Sequence, residues 1–178
     1  MTNDLQYIDE AGFKQFDSFQ GRMEVHIQKD IACPDVGKVF DEWIEHVWKS
    51  FKVLQEGSGR GQANGCLREV PGKIQEKILS VGEPLVVVDA DDSKSSELDS
   101  KAPSILYKVV SGPFPATDHI GLVTLIPKSS SSTVELRWES KFEPSMIGNL
   151  FCCGGAGMRI GIEKYLGGVA DEFASRFG

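Results

Sequence analysis

The chain has 178 residues, of which 40% are hydrophobic and 25% are charged, and its formal net charge is −7. This length and composition are typical of one globular domain with a full apolar core. The acidic balance argues against nucleic acid or an anionic membrane as a partner, because both are bound through basic patches. No stretch approaches the roughly 20 apolar residues of a membrane-spanning helix, so we expect no membrane insertion.

Residues 1–20 form a polar extension in which Ile8, Phe13, Phe16 and Phe19 are spaced loosely like one face of a helix. The extension is interpreted either as a segment that docks on the body or as a disordered one. The main domain is expected to span residues 21–178. The polar N-terminus contains no apolar signal-peptide core, so we expect a cytoplasmic protein.

The first strand is predicted within residues 21–31, where apolar and polar residues alternate and His26 falls on the solvent face. A helix is predicted to begin at Pro34 and Asp35, because proline suits the first helical position and an acid complements the positive helix end. The apolar residues that follow, including Trp43 and Trp48, repeat at three and four and indicate a buried face. A break is expected near Glu45–Trp48, since the run is long for one straight helix.

Further strands, joined by turn residues, are predicted at 51–55, 66–70, 73–81, 105–110 and 119–126, with 85–88 as an extension of the second hairpin. The glycine-rich stretch 57–65 lacks the spacing of either phosphate-binding fingerprint and is interpreted as a hairpin loop. Residues 89–104 are acidic and rich in serine, and we expect an exposed, mobile loop there.

The last predicted strand and helix have the clearest periodicities. In residues 133–143 the apolar positions alternate with charged ones, which predicts one buried face and one wet face. Residues 160–177 carry an apolar stripe typical of an amphipathic helix. Gly167 and Gly168 interrupt this helix, and each costs about 1 kcal/mol relative to alanine. The glycine pair therefore predicts either space for a ligand or close packing against a tryptophan.

Cysteine and histidine spacing gives no sign of a metal site. The cysteines form no C-x-x-C motif and no Cys/His pair at zinc spacing, so we expect no metal and no cofactor. The histidines are far apart in sequence, and no Ser-His-Asp arrangement is evident. We therefore assign no catalytic residue. The residues considered are Cys33, Cys66, Cys152, Cys153, His26, His46 and His119.

The order of elements is a strand, a helix or helix pair, a meander of strands and a long helix. Consecutive strands with short connections are usually antiparallel neighbours, so the predicted class is α+β with helices on one face of the sheet.

This order resembles the START-like, or SRPBCC (Bet v 1-like), superfamily. The resembling residues span 23–177 and are the Cys33-Pro34 helix start, the run from Gly65 to Val70, the run from Tyr107 to Val110, and Thr133 with Trp138 before the last helix. The resemblance implies a helix-grip fold, in which about seven antiparallel strands wrap around the C-terminal helix and one or two short helices follow the first strand. The subgroup that looks most similar is the polyketide cyclase/dehydrase-like set.

A helix-grip cavity would be lined by inward residues of the sheet and by the stripe of the last helix. We expect a buried Arg68 to have a carboxylate partner or a ligand anion, because an unpaired buried guanidinium is costly. The alternatives to a ligand contact are a structural ion pair or a guanidinium that reaches solvent. Glu76, Glu139 and Glu163 are the possible partners. The predicted ligand-binding residues are Arg68, Tyr107, Leu122, Thr124, Leu136, Trp138, Phe142, Tyr165, Val169 and Phe173.

Three functions are compatible with these observations. The first is binding or transport of a small hydrophobic molecule, such as a lipid, an isoprenoid or a polyketide-like ring compound. The second is a cyclase/dehydrase-like enzyme acting on an aromatic or cyclic substrate, which needs an acid or base in the cavity. A cavity position of His119 would favour the enzyme. The third is a protein-interaction module that uses the acidic loop or the N-terminal extension.

Overall fold

The computed structural model describes residues 6–7, 10–88, 98–128, 132–146 and 155–178. Its main sheet has seven antiparallel strands, which are β2 (Met23–Ile31), β3 (Lys52–Gln55), β4 (Leu67–Val70), β5 (Ile74–Gly82), β8 (Ser104–Ser111), β9 (Ala116–Pro127) and β10 (Val134–Pro144). Their spatial order is β2-β10-β9-β8-β5-β4-β3.

The described part of the chain also contains three α-helices, a small second sheet, a π-helical turn at Ile44–Trp48 and short 3-10 helices at Arg60–Gln62 and Ser175–Phe177. The α-helices are α1 (Ala11–Ser18), α2 (Val36–Trp43) and α3 (Ala156–Ala174), and the second sheet contains β1 (Gln6–Tyr7), β6 (Leu85–Val88) and β7 (Leu98–Lys101). A curved antiparallel sheet with a long C-terminal helix, and with short helices after its first long strand, confirms the predicted α+β helix-grip architecture.

The helix after β2 begins slightly later than the sequence predicts. Pro34 lies outside it, and Asp35 is its N-cap, with a carboxylate that accepts a hydrogen bond from the backbone N–H of Lys38 at 3.0 Å. The expected break is confirmed, because α2 passes directly into a π-helical turn at Ile44–Trp48. Such a turn ends with unpaired carbonyl groups that need partners.

Two predictions for the middle of the chain are wrong. Residues 85–88 do not extend the second hairpin, because β6 pairs with β1 and β7 in the separate sheet. The stretch 89–104 is not wholly a loop, since Leu98–Lys101 forms β7 and Ser104 begins β8. Residues 89–97, and with them most of the acidic segment, lie outside the described residues.

The main sheet is buried on both faces over part of its area. Its inner face packs against α2, the π-helical turn and α3, and forms the larger core, in which Trp43, Trp138 and Phe173 are almost fully buried. Its outer face forms a smaller core under α1, around Phe13 and Phe16. Of the two alternatives for the extension, the structure shows docking, through the side chains of residues 13, 16 and 19. Ile8 lies outside the described residues.

The charged face of β10 is not wet, contrary to the prediction. Glu135 and Glu139 are only 4% and 9% exposed. Charges at such positions are tolerated when they are paired. Glu135 is paired with Arg137 and with Lys128, and Glu139 accepts from His26 at 3.1 Å. His26 is therefore half-buried and paired, and it is not a free surface residue.

Candidate functional site

A cavity of about 280 Å³, the helix-grip cavity, lies between the inner face of the sheet and α3. Most of the lining residues are apolar and a few are polar, as is usual in small-molecule sites. The lining residues are Val70, Pro71, Ile74, Glu76, Tyr107, Val109, Phe114, His119, Ser140, Ile162, Tyr165 and Leu166.

The cavity occupies only one end of the space between sheet and helix. Two turns lie at this end, the β4–β5 turn at 71–73 and the β8–β9 turn at 112–115. They touch, because a Cβ added at Gly112 would lie 2.5 Å from the carbonyl oxygen of Lys73. Towards the other end of α3, Trp43 packs edge-on against Trp138 and Phe173, with ring centroids 5.1 and 4.9 Å apart. Aromatic side chains therefore fill space that a longer cavity would need.

Arg68 is buried beside the cavity, and its hydrogen bonds go to other groups of the protein. It faces Glu76 across the β4–β5 pair, and its Nε and Nη2 lie 2.8 and 2.7 Å from Oε2 of that carboxylate. Its Nη1 donates to the carbonyl groups of Val47 and Trp48 at 2.8 and 3.0 Å. The guanidinium also stacks on Trp48, 3.8 Å from the ring centroid. Arg68 thus closes the π-helical turn onto the sheet, which is a structural role.

His119 is a buried, neutral side chain of the cavity wall. Its Nδ1 accepts a hydrogen bond from the backbone N–H of Val109 at 3.2 Å, so Nδ1 carries no proton. The proton is then on Nε2, which lies 3.0 Å from Oγ of Ser140 and donates to it. Burial lowers the pKa of His119 to about 3, in agreement with a neutral imidazole.

Tyr107 is part of the cavity wall, and its ring lies over Gly121. The two residues are opposite each other on β8 and β9, and a Cβ at Gly121 would lie 2.2 Å from Cζ of the tyrosine. Only glycine leaves room for this ring. The phenol oxygen accepts from the Trp138 indole N–H at 2.8 Å, and burial raises the pKa of Tyr107 far above its usual value. Tyr107 is therefore a protonated phenol in a fixed position.

Solved structures with similar folds are distant in sequence. A protein from Nitrosospira multiformis is 18% identical, with 88% of this chain and 97% of that chain covered and a TM-score of 0.52. XoxI from Bacillus cereus is 13% identical over 86% and 94% of the two chains, with a TM-score of 0.51. Ara h 8.0201, a Bet v 1 homologue, is 11% identical over 87% and 97%, with a TM-score of 0.53.

The chain has the Bet v 1-like helix-grip fold. No family model matches its sequence, and no curated protein matches it. At these identities the similarity establishes the fold of the chain alone. Function has to be argued from the helix-grip cavity itself.

Two of the ten predicted ligand residues line the helix-grip cavity. Tyr107 forms part of its wall, and Tyr165 lines it while remaining half-exposed. Val169 and Phe173 lie instead against a separate cavity of about 300 Å³ at the other end of α3. Four residues belong to the large core or to the π-turn contact without lining the helix-grip cavity: Arg68, Leu136, Trp138 and Phe142.

The assignment of Leu122 and Thr124 to the inner face is wrong. Leu122 packs in the smaller core under α1, and Thr124 shares its side of β9, where its hydroxyl accepts from that of Ser104 at 3.3 Å. The inner residues of β9 are the odd-numbered ones, including Val123. Because both faces of this strand are buried, its sequence lacks the alternation that would have identified the faces.

Among the polar lining residues, the prediction missed Ser140 and named Glu76 only as a possible partner of Arg68. The predicted list also omits the apolar lining residues Val70, Pro71, Ile74, Val109, Phe114, Ile162 and Leu166. Ser140 alternates with Trp138 and Phe142, so period two already placed a hydroxyl on an otherwise apolar face. Glu76 was a possible partner of Arg68, and the register of β4 and β5 selects it. His119, considered only as a possible acid or base, is also part of the wall.

The glycine pair in α3 has neither of its two predicted causes. A Cβ at Gly167 would meet only Cδ1 of Ile27 at 3.7 Å, which is ordinary contact. A Cβ at Gly168 would meet nothing within 4 Å, and Gly168 is exposed. The pair neither adjoins a tryptophan nor lines the helix-grip cavity. We have no physical account of it.

Two further features concern only the described ranges. No group of three His, Cys, Asp or Glu side chains there is arranged to bind a metal ion. No helix there has both the length and the apolar character that crossing a bilayer requires. Cys33 and Cys66 are buried free thiols, whereas Cys152 and Cys153 lie outside these ranges.

Proposed function

We propose that this protein binds a small, largely apolar molecule in the helix-grip cavity. The observation that carries the proposal is the wall itself, an apolar surface with a few fixed polar groups. Burial of ligand surface against this wall supplies most of the affinity, at about 25 cal/mol per Å² before the costs of association. The polar groups orient the ligand.

The size of the cavity favours one of the predicted ligand classes. At about 280 Å³ it is just below the range of about 300–1,000 Å³ usual for drug-sized ligands. A compact ring compound fits such a volume, whereas a long acyl or isoprenoid chain would extend into space that Trp43 and Trp138 occupy. The ligand we propose is therefore a small cyclic molecule of the polyketide-like kind.

Calorimetry with two apolar probes tests this proposal. We expect the bicyclic hydrocarbon tetralin to bind with a negative heat-capacity change, which is the robust sign of apolar burial. Hexadecanol, a straight chain of sixteen carbon atoms, is expected to bind at least about tenfold more weakly. Failure of tetralin to bind, or tighter binding of hexadecanol, would contradict the proposal.

A cyclase/dehydrase-like enzyme is the second candidate, and the position of His119 in the cavity wall favours it. Glu76 offers a further group, because both contacts from Arg68 go to Oε2 and none of the described residues donates to Oε1. His119 would need to exchange its hydrogen bond with Val109 before it could take a proton at Nδ1. Binding therefore ranks first, and incubation with cyclic carbonyl compounds, followed by product analysis, tests the enzyme.

Several finer predictions rest on the sequence. We also propose a cytoplasmic location, and the acidic net charge of −7 argues against a nucleic-acid partner. A role of the acidic stretch 89–104 or of the N-terminal extension 1–20 in binding a protein partner would be tested by deleting each segment and comparing pull-downs.

A further inference from the structure

We infer that the hydroxyl groups of Tyr107 and Ser140 together bind a neutral carbonyl oxygen, so that the ligand is a small, uncharged carbonyl compound. This inference rests on the proposed function and specifies its ligand. It follows from the direction of each hydrogen bond in the cavity wall, together with the charge of the lining.

The hydroxyl of Ser140 has a proton that is available for donation to a ligand. The backbone N–H of Val109 donates to Nδ1 of His119, so the imidazole proton is on Nε2 and is donated to Oγ of Ser140. Oγ of Ser140 accepts that bond and still has its own proton to donate. Ser140 is 1% exposed and lines the cavity, and none of the described residues accepts this proton.

The hydroxyl of Tyr107 also accepts one hydrogen bond and has a proton left to donate. The Trp138 indole can only donate, so the tyrosine oxygen is the acceptor of their bond. The phenolic proton of Tyr107 therefore needs another acceptor, and the described residues provide none. A buried donor without an acceptor is unfavourable, and a ligand oxygen that accepts the bond would remove this cost.

Gly121 brings these two donors together. Ser140 and Tyr107 are the register partners of Gly121 on its two neighbouring strands, and all three lie on the inner face. Neighbouring strands are about 4.8 Å apart. The ring of Tyr107 extends over Gly121, where a Cβ would lie 2.6 Å from the phenol oxygen. The two hydroxyls are thus on the same part of the wall, yet they are not hydrogen-bonded to each other.

The charge of the lining selects a neutral acceptor over a carboxylate. The lining contains Glu76 and no lysine or arginine. Arg68 balances Glu76, and its remaining hydrogen bonds go to backbone carbonyls rather than to the cavity. An anionic ligand would enter a poorly solvated site without a cation of its own, which is unfavourable. A ketone, aldehyde or ester oxygen avoids this cost.

The test compares 1-tetralone with tetralin, which have the same bicyclic skeleton with and without the carbonyl group. Affinities are measured for the wild-type protein and for Ser140→Ala and Tyr107→Phe. We expect each substitution to weaken 1-tetralone binding roughly two- to twelvefold, the value of one neutral hydrogen bond. The loss should be larger for 1-tetralone than for tetralin, because tetralin makes no hydrogen bond, and the tetralin affinity of each variant measures any general effect of the substitution on the cavity.

Three outcomes separate this inference from the proposed function. If tetralin binds and the substitutions weaken both compounds equally, or neither, the carbonyl site is wrong and the apolar cavity stands. If neither compound binds the wild-type protein, the proposed function fails, and the inference fails with it. Stronger loss for 1-tetralone in both variants supports the inference.

A spectroscopic measurement on the wild-type protein does not depend on the folding of any variant. Two donors on the carbonyl oxygen lower its stretching frequency, so the isotope-edited infrared band of bound 1-tetralone should lie below its value in cyclohexane. A bound ketone whose band stays at the cyclohexane value would overturn the inference. In a folded Ser140→Ala protein, the band should move back towards that value.

Discussion

The Arg68–Glu76 pair is the contact in which removal of one side chain should cost the most. Arg68→Met leaves the carboxylate of Glu76, which is 15% exposed, without its partner, and it also frees the carbonyl groups of Val47 and Trp48. Breaking a buried pair from one side typically costs about 3–5 kcal/mol. We expect a loss of this order in the free energy of unfolding, measured by urea denaturation.

Lys52 and Glu69 provide a matched control on the neighbouring strand pair. Their ammonium and carboxylate groups lie 3.8 Å apart, and the lysine side chain is 70% exposed. An exposed pair contributes about 0–1 kcal/mol, so Lys52→Met should change stability little. Equal losses for the two methionine variants would show that Arg68 does not have the structural role assigned to it.

Two histidines are expected to change stability with pH in opposite directions. Burial lowers the folded-state pKa of His119 to about 3, so the unfolded chain binds more protons between pH 6.5 and 3. Stability therefore falls as pH decreases through that window, by at most about 1.4 kcal/mol per pH unit. The hydrogen bond to Glu139 raises the pKa of His26. Its contribution is fully present below pH 6.5 and is lost as pH rises through the raised value.

Urea midpoints between pH 5 and 8 check these signs. His119→Gln should reduce the loss of stability below pH 6.5, and His26→Gln should reduce the loss above it. An acid slope that is the same in His119→Gln and in the wild-type protein would contradict the neutral, buried imidazole in the cavity wall.

Among the secondary-structure elements, α3 contains a glycine that the fold does not need. Gly168→Ala places a methyl group in open space and removes the glycine penalty, so we expect a gain of up to about 1 kcal/mol in the free energy of unfolding. Gly121→Ala is the contrasting change in β9, because its methyl group would overlap the Tyr107 ring. Overpacking of this kind costs about 1–3 kcal/mol. Thermal unfolding of both variants measures the difference, and destabilisation by Gly168→Ala would be inconsistent with this structure.

How well each element was predicted depends on whether one of its faces is wet. In β2, alternation of apolar and polar residues identified the inner face correctly. In β9, α1 buries the outer face, so apolar residues occupy both faces and the alternation disappears. The charged residues of β10 were expected in solvent because a sequence shows charges but not their partners. In the structure, Glu135 is paired with Lys128, and Glu139 is paired with His26 of the neighbouring strand β2.

Taken as a whole, the fold was predictable and the location of the cavity was not. The strand and helix periodicities, with the order of elements, predicted an antiparallel α+β fold, and the family resemblance implied the helix-grip architecture with about seven strands that the structure has. The cavity depends on how bulky side chains fill the space between sheet and helix, which no periodicity describes. Trp43, Trp138 and Phe173 fill one end, and the glycine at 121 with the short side chain of Ser140 leaves room at the other.

The most direct test of the proposed function is a comparison of two substitutions in α3. Ile162 and Val169 are both partly buried and lie seven residues apart on the same side of the helix, but only Ile162 lines the helix-grip cavity. In Ile162→Trp the indole should occupy the cavity and weaken tetralin binding by on the order of tenfold or more. Val169→Trp should leave the affinity within about twofold. Equal affinities in the two variants, or a greater loss in Val169→Trp, would contradict ligand binding at this site.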